Sequence, residues 1–278
     1  RRITKLSLPS DDEEAFKYVR EAVKAYPELY FASVVVLGEG ASEELVLPRV
    51  ARALDLDIDP RFVAVVPLGG RHVRHFWRLL RDIGTPYVTL VDLDNERHGG
   101  GWERIHDLMR ELLELGLDSK KVRGGLTADE FKELRTWDPE PLTSEDLASW
   151  VAHLEEKFDV FLSAPLDLDF SMIEAFPKAY KALAPEGGGP RFPKANADKQ
   201  PFITRVTRST LGADGGDGAT YTEAERDLFP WYAYLFAAGS KPASHALALS
   251  KRSDAMLAKR SPDVLRRLVE RVKQLAPK

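Results

Sequence analysis

Three short apolar runs, each followed by a helical pattern, constrain the fold of this chain most strongly. The runs lie at about residues 33–37, 62–66 and 86–91 and are rich in β-branched side chains. Runs of this kind are typical of strands buried on both faces, as in a parallel sheet. Apolar residues at helical spacing follow over about 43–54, 71–83 and 102–116, and the first of these helices should face inward with Leu45, Leu47, Val50 and Leu54. The β-α-β-α-β-α order therefore predicts an α/β fold with a parallel sheet and right-handed crossovers.

The rest of the chain has a different pattern. A further helix is predicted over 10–26, where four acidic residues favour its start. Residues 121–157 predict a small helical segment, with Thr127 and Thr143 as caps. Val160-Phe161-Leu162-Ser163 predicts a fourth strand. The chain from about 171 is predicted to be mainly helical, with flexible breaks at the glycine-rich residues 187–190 and 212–218.

Acidic residues stand where two of the apolar runs end. Glu39 and Glu43 follow the first run, and Asp92 and Asp94 end the third. Ligands gather at the carboxyl ends of the strands in open parallel sheets, so these four side chains should meet at one edge. Four carboxylates at one edge repel each other unless cations neutralise them. Oxygen-only ligands suit Mg²⁺ or Mn²⁺, and a pair of such ions is the prediction for a cluster this acidic.

Each acidic pair also has a simpler interpretation. Glu39 and Glu43 are four positions apart, so a helix that starts near Gly40 aims both at one metal. The alternative is that Glu43 only complements the positive end of a helix. Asp92 and Asp94 alternate along an extended strand end and so point the same way. The alternative for this pair is a role as turn formers.

These residues resemble a known family. Glu39-Gly40 after one apolar strand and Asp92-x-Asp94 after another resemble the Toprim domain of topoisomerases, primases and nucleases. The segment Pro27–Ala32 before the first strand, and a second acid four residues after Glu39, are similar to the overcoming-lysogenization-defect (OLD) family nucleases. The resemblance is good from about residue 10 to about residue 115.

The resemblance implies a Toprim fold, which is a Rossmann-like parallel sheet flanked by helices, with an associated mainly helical domain. It implies a metal-dependent DNA endonuclease that uses two divalent ions, Mg²⁺ or Mn²⁺, with Glu39 as both a ligand and a catalytic residue. The expected organisation is a Toprim core at 28–120, a helical insertion at 121–158, a last strand with an acidic motif at 159–170, and a helical domain formed by 1–27 and 171–278.

Two further positions take expected roles from the resemblance. The family supplies another acidic ligand, often glutamate in a leucine-glutamate context, where this chain has Leu166-Asp167-Leu168-Asp169. The shorter side chain leaves open which of Asp167 and Asp169 reaches a metal. The family also carries a lysine in a glycine-serine-lysine context, which Lys241 matches. Its ammonium would stabilise charge on a phosphodiester during displacement, and a surface lysine is the alternative.

A weaker expectation concerns DNA phosphate. Arg71 and Arg74 follow Gly69-Gly70 at a predicted helix start, which is typical of an anion-binding site, although a solvated basic face explains them equally well. Ser163, at the end of the fourth strand, is a minor candidate for the same role. His98 and His106 have no partner at HExxH or HxH spacing, so a zinc site is not expected.

Composition excludes several classes of protein. The 278 residues contain no cysteine, which excludes thiol catalysis and cysteine-ligated zinc. No apolar stretch reaches the roughly 18–20 residues that span a bilayer. The net charge of −4 argues against a uniformly basic nucleic-acid-coating protein. No phosphate-binding GxxxxGK[ST] motif occurs, so ATP hydrolysis by this chain is not expected.

The resemblance also implies partners. DNA is the expected substrate, and no membrane partner is expected. OLD proteins carry an ATPase domain before the Toprim region. Because the chain begins with Arg1-Arg2-Ile3, we expect a fragment that lacks this domain, which would also mediate oligomerisation. A prokaryotic cytoplasmic location follows from the family.

Two rival functions stay open. One is a non-catalytic module that binds Mg²⁺ and DNA for regulation. The other is a topoisomerase- or primase-like Toprim enzyme. None of the eight tyrosines lies in a recognisable nucleophile motif, and a primase zinc module needs cysteines that are absent.

Overall fold

A computed structural model describes residue 24 and residues 26–68, 73–237 and 239–277. The helix predicted over 10–26 lies almost entirely outside these residues, as does Arg71. Among the helices of the described residues, none is long and apolar enough to cross a lipid bilayer.

Four strands form one parallel sheet. They are β1 (Val34–Gly38), β2 (Val63–Pro67), β3 (Tyr87–Asp92) and β4 (Val160–Ser163), and their spatial order is β2-β1-β3-β4. The predicted parallel sheet and its fourth strand are therefore confirmed. In the register, Gly38 lies beside Pro67 and Asp92 lies beside Ser163, so the carboxyl ends of the strands share one edge of the sheet.

Helices connect and flank the strands. The first three are α1 (Ala41–Ala53), α2 (Val73–Ile83) and α3 (Trp102–Glu114). The insertion between β3 and β4 also contains α4 (Ser119–Arg123), α5 (Ala128–Glu133) and α6 (Glu145–Phe158). After β4 come α7 (Leu168–Ala175), α8 (Pro177–Lys181), α9 (Lys199–Leu211), α10 (Glu223–Arg226), α11 (Phe229–Tyr232), α12 (Lys241–Ser250), α13 (Asp254–Arg260) and α14 (Asp263–Leu275). A π-helical turn, Ala233–Ala237, separates α11 from α12, and short 3-10 turns occupy Pro27–Tyr30, Leu134–Thr136 and Asn196–Asp198.

The two faces of the sheet are buried in separate cores. Alternate side chains of β1, such as Val34 and Val36, join a core made with α1 and the helices that follow β4. Val35 and Leu37 point to the other face, where they join a core made with α2, α3 and the insertion. Burial on both faces explains why the strands are continuous apolar runs, because neither face alternates with polar residues.

Two local predictions are wrong. The cap of α6 is Ser144, whose Oγ accepts a hydrogen bond from the Leu147 amide at 3.2 Å, and not Thr143. Leu45, predicted to face inward, is 39% exposed because the buried face of α1 runs through neighbouring positions. Thr127 does cap α5, since its Oγ1 accepts from the Glu130 amide at 3.2 Å.

The glycine-rich loop over 212–218 is docked rather than free. Glu96 is buried, and its carboxylate accepts hydrogen bonds from the amides of Gly218 at 2.6 Å and Thr220 at 2.7 Å. The amide of Gly216 donates to the Glu96 carbonyl at 2.8 Å. The turn after β3 is therefore fastened to the helices that follow β4.

Candidate metal centre

A cleft of about 230 Å³ opens at the carboxyl edge of the sheet. It is lined by Glu39, Gly40, Ala41, Ser42, Glu43, Asp92, Leu168, Asp169, Lys241 and Pro242. These residues come from the ends of β1 and β3 and from the starts of α1, α7 and α12. The sheet edge therefore brings together the acidic residues that the sequence separates.

Glu39 links the two central strands. It follows β1, and its Oε1 accepts a hydrogen bond from the backbone amide of Asp92 at 3.1 Å. Arg104, on α3, places its guanidinium 3.4 Å from the same oxygen. Burial raises the pKa of Glu39, and the positive charge of Arg104 only partly offsets this effect.

Glu43 is buried in the first turn of α1. Its Oε2 accepts a hydrogen bond from the Gly40 amide at 2.8 Å, so the capping interpretation holds for one of its oxygens. Gly38 makes room for it, since a β-carbon at Gly38 would lie 2.5 Å from Cβ of Glu43. Burial, reinforced by the charges of Asp169 and Glu39, raises the pKa of Glu43 to about 7.

Asp92 is the last residue of β3. Its Oδ1 accepts a hydrogen bond from the Leu168 amide at 3.0 Å, which joins β3 to the start of α7. Burial raises the pKa of Asp92 well above its usual value, and the negative charges of Glu39 and Asp167 raise it further. The carboxyl group of Asp92 is therefore surrounded by the other acidic side chains of the cluster.

Asp94 departs from its prediction. It does not continue the extended strand, because its φ of 54° places it in a left-handed turn. Its Oδ1 accepts from Arg97 at 2.6 Å and its Oδ2 accepts from Arg104 at 2.9 Å. Gly100 packs directly against the backbone of this turn. A β-carbon at Gly100 would lie 1.7 Å from the Asp94 carbonyl oxygen, so only glycine fits there. The turn-former interpretation therefore describes the backbone, while the side chain holds two arginines.

Asp167 caps α7 from a fully buried position. Its Oδ1 accepts from the Phe170 amide at 2.8 Å. Its Oδ2 accepts from the hydroxyl of Tyr232 and lies 3.1 Å from Arg97. Burial and the nearby charge of Asp169 raise the pKa of Asp167, and Arg97 acts in the opposite sense.

Asp169 is the acidic residue with the most side-chain donors. Its Oδ2 lies 2.5 Å from the ammonium of Lys241, which begins α12. Its Oδ1 accepts from Ser42 at 2.7 Å and lies 2.7 Å from Nε2 of His245. Burial opposes ionisation, but the hydrogen bond from His245 and the charge of Lys241 lower the pKa of Asp169 to about 2. Lys241 therefore reaches the cleft from the helical region.

Arg74 and Ser163 do not line this cleft. Arg74 forms an ion pair with Glu114 at the end of α3. Ser163 is fully buried at the end of β4, and its hydroxyl has no hydrogen-bond partner among the described residues.

The donor set fits an oxygen-preferring divalent cation. Within the described part of the chain, no three acidic or imidazole side chains already converge closely enough to hold an ion. Nevertheless Glu43 and Asp92 have no lysine or arginine partner among the described residues, and the pKa values of Glu39, Glu43 and Asp92 are all raised. A cation in the cleft would relieve this repulsion, and carboxylate oxygens suit Mg²⁺ or Mn²⁺.

Several residues of the site were not identified from the sequence. They are Ser42, Arg97, Arg104, Tyr232 and His245. Each contacts the carboxylates through a fold that brings distant segments together. Arg97 alone carried a local signal, since it follows Asp94 by three positions in a turn.

One protein family and several solved structures match this chain. Residues 30–94 match the family model of the Toprim domain of overcoming-lysogenization-defect-protein-like proteins. The chain is similar to the C-terminal region of the Burkholderia pseudomallei OLD protein, with a TM-score of 0.52, 18% identity, and coverage of 88% of this chain and 98% of that one. It is also similar to the C-terminal region of the Xanthomonas campestris pv. campestris OLD protein, with a TM-score of 0.48, 16% identity, and coverage of 89% and 95%.

No curated protein sequence matches the chain. At 18% identity, the Burkholderia similarity shows a shared fold. The family match covers β1 to β3, including Glu39, Glu43, Asp92 and Asp94. Residues 30–94 are thus a Toprim domain of the OLD type, in a chain that has the fold of the C-terminal region of an OLD protein.

Proposed function

We propose that this chain is a metal-dependent endonuclease that hydrolyses phosphodiester bonds of DNA. The observation that carries the proposal is the convergence of Glu39, Glu43 and Asp92 on one cleft with raised pKa values, beside the ammonium of Lys241. Such a cluster is poorly stable without cations. A Toprim domain in the same segment supports divalent-metal chemistry.

The proposed ligands form two groups. Glu39, Glu43 and Asp92 are the primary ligands, because they line the cleft and their pKa values are raised, although Arg104 lies 3.4 Å from Glu39. Asp94, Asp167 and Asp169 are the secondary candidates, because each is held by a protein cation in this structure. Two Mg²⁺ or Mn²⁺ ions would supply an activated water and stabilise the leaving oxygen.

The protein groups have complementary roles. Lys241 neutralises negative charge that builds on the phosphate during displacement, since its ammonium is held at the rim of the cleft by Asp169. Glu39, whose pKa is raised by burial, accepts a proton from the attacking water. Arg104 bridges Glu39 and Asp94, and so keeps the two strand ends in register.

Cleavage of supercoiled plasmid tests this function. The purified chain should nick the plasmid with Mg²⁺ or Mn²⁺ in the absence of nucleotide, and EDTA should abolish the reaction. The matched control is Asp92→Asn, which keeps the side-chain shape but removes one central charge. If the chain binds the plasmid but does not cut it with any metal, the result would instead support a non-catalytic regulatory module.

We also propose that this chain has an ATPase domain of the same protein as its partner.

A further inference from the structure

His245 and Tyr180 form a buried pair behind the cleft that the proposed function does not use. Both side chains are fully buried. Nδ1 of His245 lies 2.6 Å from the hydroxyl of Tyr180, and Nε2 lies 2.7 Å from Oδ1 of Asp169. The imidazole is stacked on Phe236, with ring centroids 5.2 Å apart. The ring is thus fixed both by packing and by hydrogen bonds.

The hydrogen-bond directions follow from the chemistry of the partners. Asp169 is ionised, so its oxygen accepts and Nε2 of His245 must donate. In the neutral tautomer that carries its proton on Nε2, Nδ1 accepts from the hydroxyl of Tyr180, which lies 2.6 Å away. In this tautomer the donors run in one direction, from the phenol through the imidazole to the carboxylate.

This chain sets the orientation of Asp169. Oδ1 receives two hydrogen bonds, one from His245 and one from Ser42, both at 2.7 Å. Oδ2 is thereby turned toward the cleft, where it lies 2.5 Å from the ammonium of Lys241. Lys241 is 44% exposed and comes from the first turn of α12, so its ion pair with Asp169 is what restrains the ammonium among the described residues.

We propose that Tyr180 and His245 are positioning residues that act through Asp169 to hold the Lys241 ammonium in the cleft. The proposal rests on the proposed function only for its catalytic consequence. It assigns Tyr180 and His245 to Lys241 and not to the primary ligands Glu39, Glu43 and Asp92, because neither side chain borders the cleft.

A labelling experiment tests the positioning directly and needs no cleavage. The metal-free chain is treated with an amine-reactive acylating reagent, and the rate at Lys241 is compared by mass spectrometry with that at the exposed Lys132. His245→Ala should raise the relative rate at Lys241 several-fold, because the lysine is freed when Asp169 loses its donor. His245→Gln should raise it less, since its amide can still donate.

Single-turnover plasmid cleavage at saturating Mn²⁺ provides the second readout. His245→Ala should slow cleavage about tenfold, as expected for loss of one charge-assisted hydrogen bond. In a Lys241→Ala background the same change should have no further effect, because the chain acts through that lysine. Tyr180→Phe, which keeps the buried ring, should change both readouts in the same direction but less.

The controls are His153→Gln, in a histidine that contacts the Val122 carbonyl and the rings of Trp150 and Phe158, away from the cleft, and Tyr87→Phe at the start of β3. Both should leave the two readouts unchanged. Unaltered labelling of Lys241 in folded His245→Ala and Tyr180→Phe, or additive losses in the double variant, would overturn the proposal. Absence of cleavage by the unmodified chain would refute the proposed function, while the labelling would still decide this inference.

Discussion

At the scale of single residues, charge is distributed unevenly across the cluster. Asp169 has its pKa lowered to about 2, whereas Glu43 has its pKa raised to about 7. The difference arises because Asp169 has a lysine and a histidine as neighbours, whereas the groups that act on Glu43 within the described part of the chain are backbone amides and other acids. Lys241 is therefore the residue whose role can be separated most clearly from metal binding.

Lys241→Ala should lower the single-turnover cleavage rate on the order of 10²-fold or more, because a cation that stabilises the transition state is lost. Mn²⁺ affinity measured by calorimetry should change little, since an ammonium is not a ligand. Lys241→Arg should restore only part of the rate, because the guanidinium is larger and spreads its charge. Lys251→Ala, at the exposed far end of α12, is the control. If Lys241→Ala cleaves at the rate of the unmodified chain, Lys241 is a surface residue without a catalytic role.

The main acidic residues could be found from the sequence because they follow directly from strand ends. Glu39, Glu43 and Asp92 needed only the rule that parallel strands share a carboxyl edge. The extended backbone predicted for Asp94 was wrong, since its left-handed conformation accompanies a close approach by Gly100 that no local pattern reveals. Arg104 and His245 could not be found, because their contacts depend on how helices pack.

At the scale of elements, the junction between β1 and α1 determines the shape of the cleft. The chain reverses between Gly38 and Ala41, and the first turn of α1 is pressed onto the end of its own strand. Strand and helix positions in this region were predictable to within two or three residues. The close packing at this junction was not predictable, because it depends on a contact between Gly38 and the side chain of Glu43.

Gly38→Ala should therefore reduce both stability and Mn²⁺ affinity. The added methyl group would lie 2.5 Å from Cβ and 2.7 Å from Cγ of Glu43, so α1 must move away. We expect a loss of about 1–3 kcal/mol in the free energy of unfolding. Gly84→Ala is the comparison, because its φ of 74° imposes strain but nothing lies within 4 Å. It should lower stability without changing the Mn²⁺ affinity measured by calorimetry, and equal affinities in both variants would contradict the expected movement of α1.

At the scale of the whole molecule, the acidic cluster makes the metal-free fold sensitive to pH. Glu43 has its pKa raised to about 7, so the folded chain binds more protons than the unfolded chain between the unfolded value of about 4.5 and that pKa. Stability should therefore fall as pH rises through this window. The opposite holds for Asp169, whose lowered pKa of about 2 gives stability that is lost only in strong acid.

Thermal unfolding of the metal-free chain across pH 4 to 8 tests this expectation. Glu43→Gln should flatten the decline, by up to about 3 kcal/mol at pH 8 if the whole shift acts on folding. The exposed neighbour Glu44→Gln should leave the profile unchanged. Added Mn²⁺ should restore stability at high pH, because it binds only the folded state. A profile for Glu43→Gln that follows the unmodified chain would contradict the assigned pKa.

Because the turn after β3 is docked onto the later part of the chain, the folded unit extends beyond the segment that the family model matches. The family match ends at residue 94, yet Glu96 and Arg97, just beyond it, hydrogen-bond to the amides of Gly218 and Thr220 and to the Thr210 carbonyl. The later helices, together with α1, also cover one face of the sheet. The segment that the family model matches is therefore smaller than the set of residues whose contacts hold it in place. We infer that residues 30–94 depend on the later segments for folding, because one face of their sheet would otherwise lose most of its apolar cover.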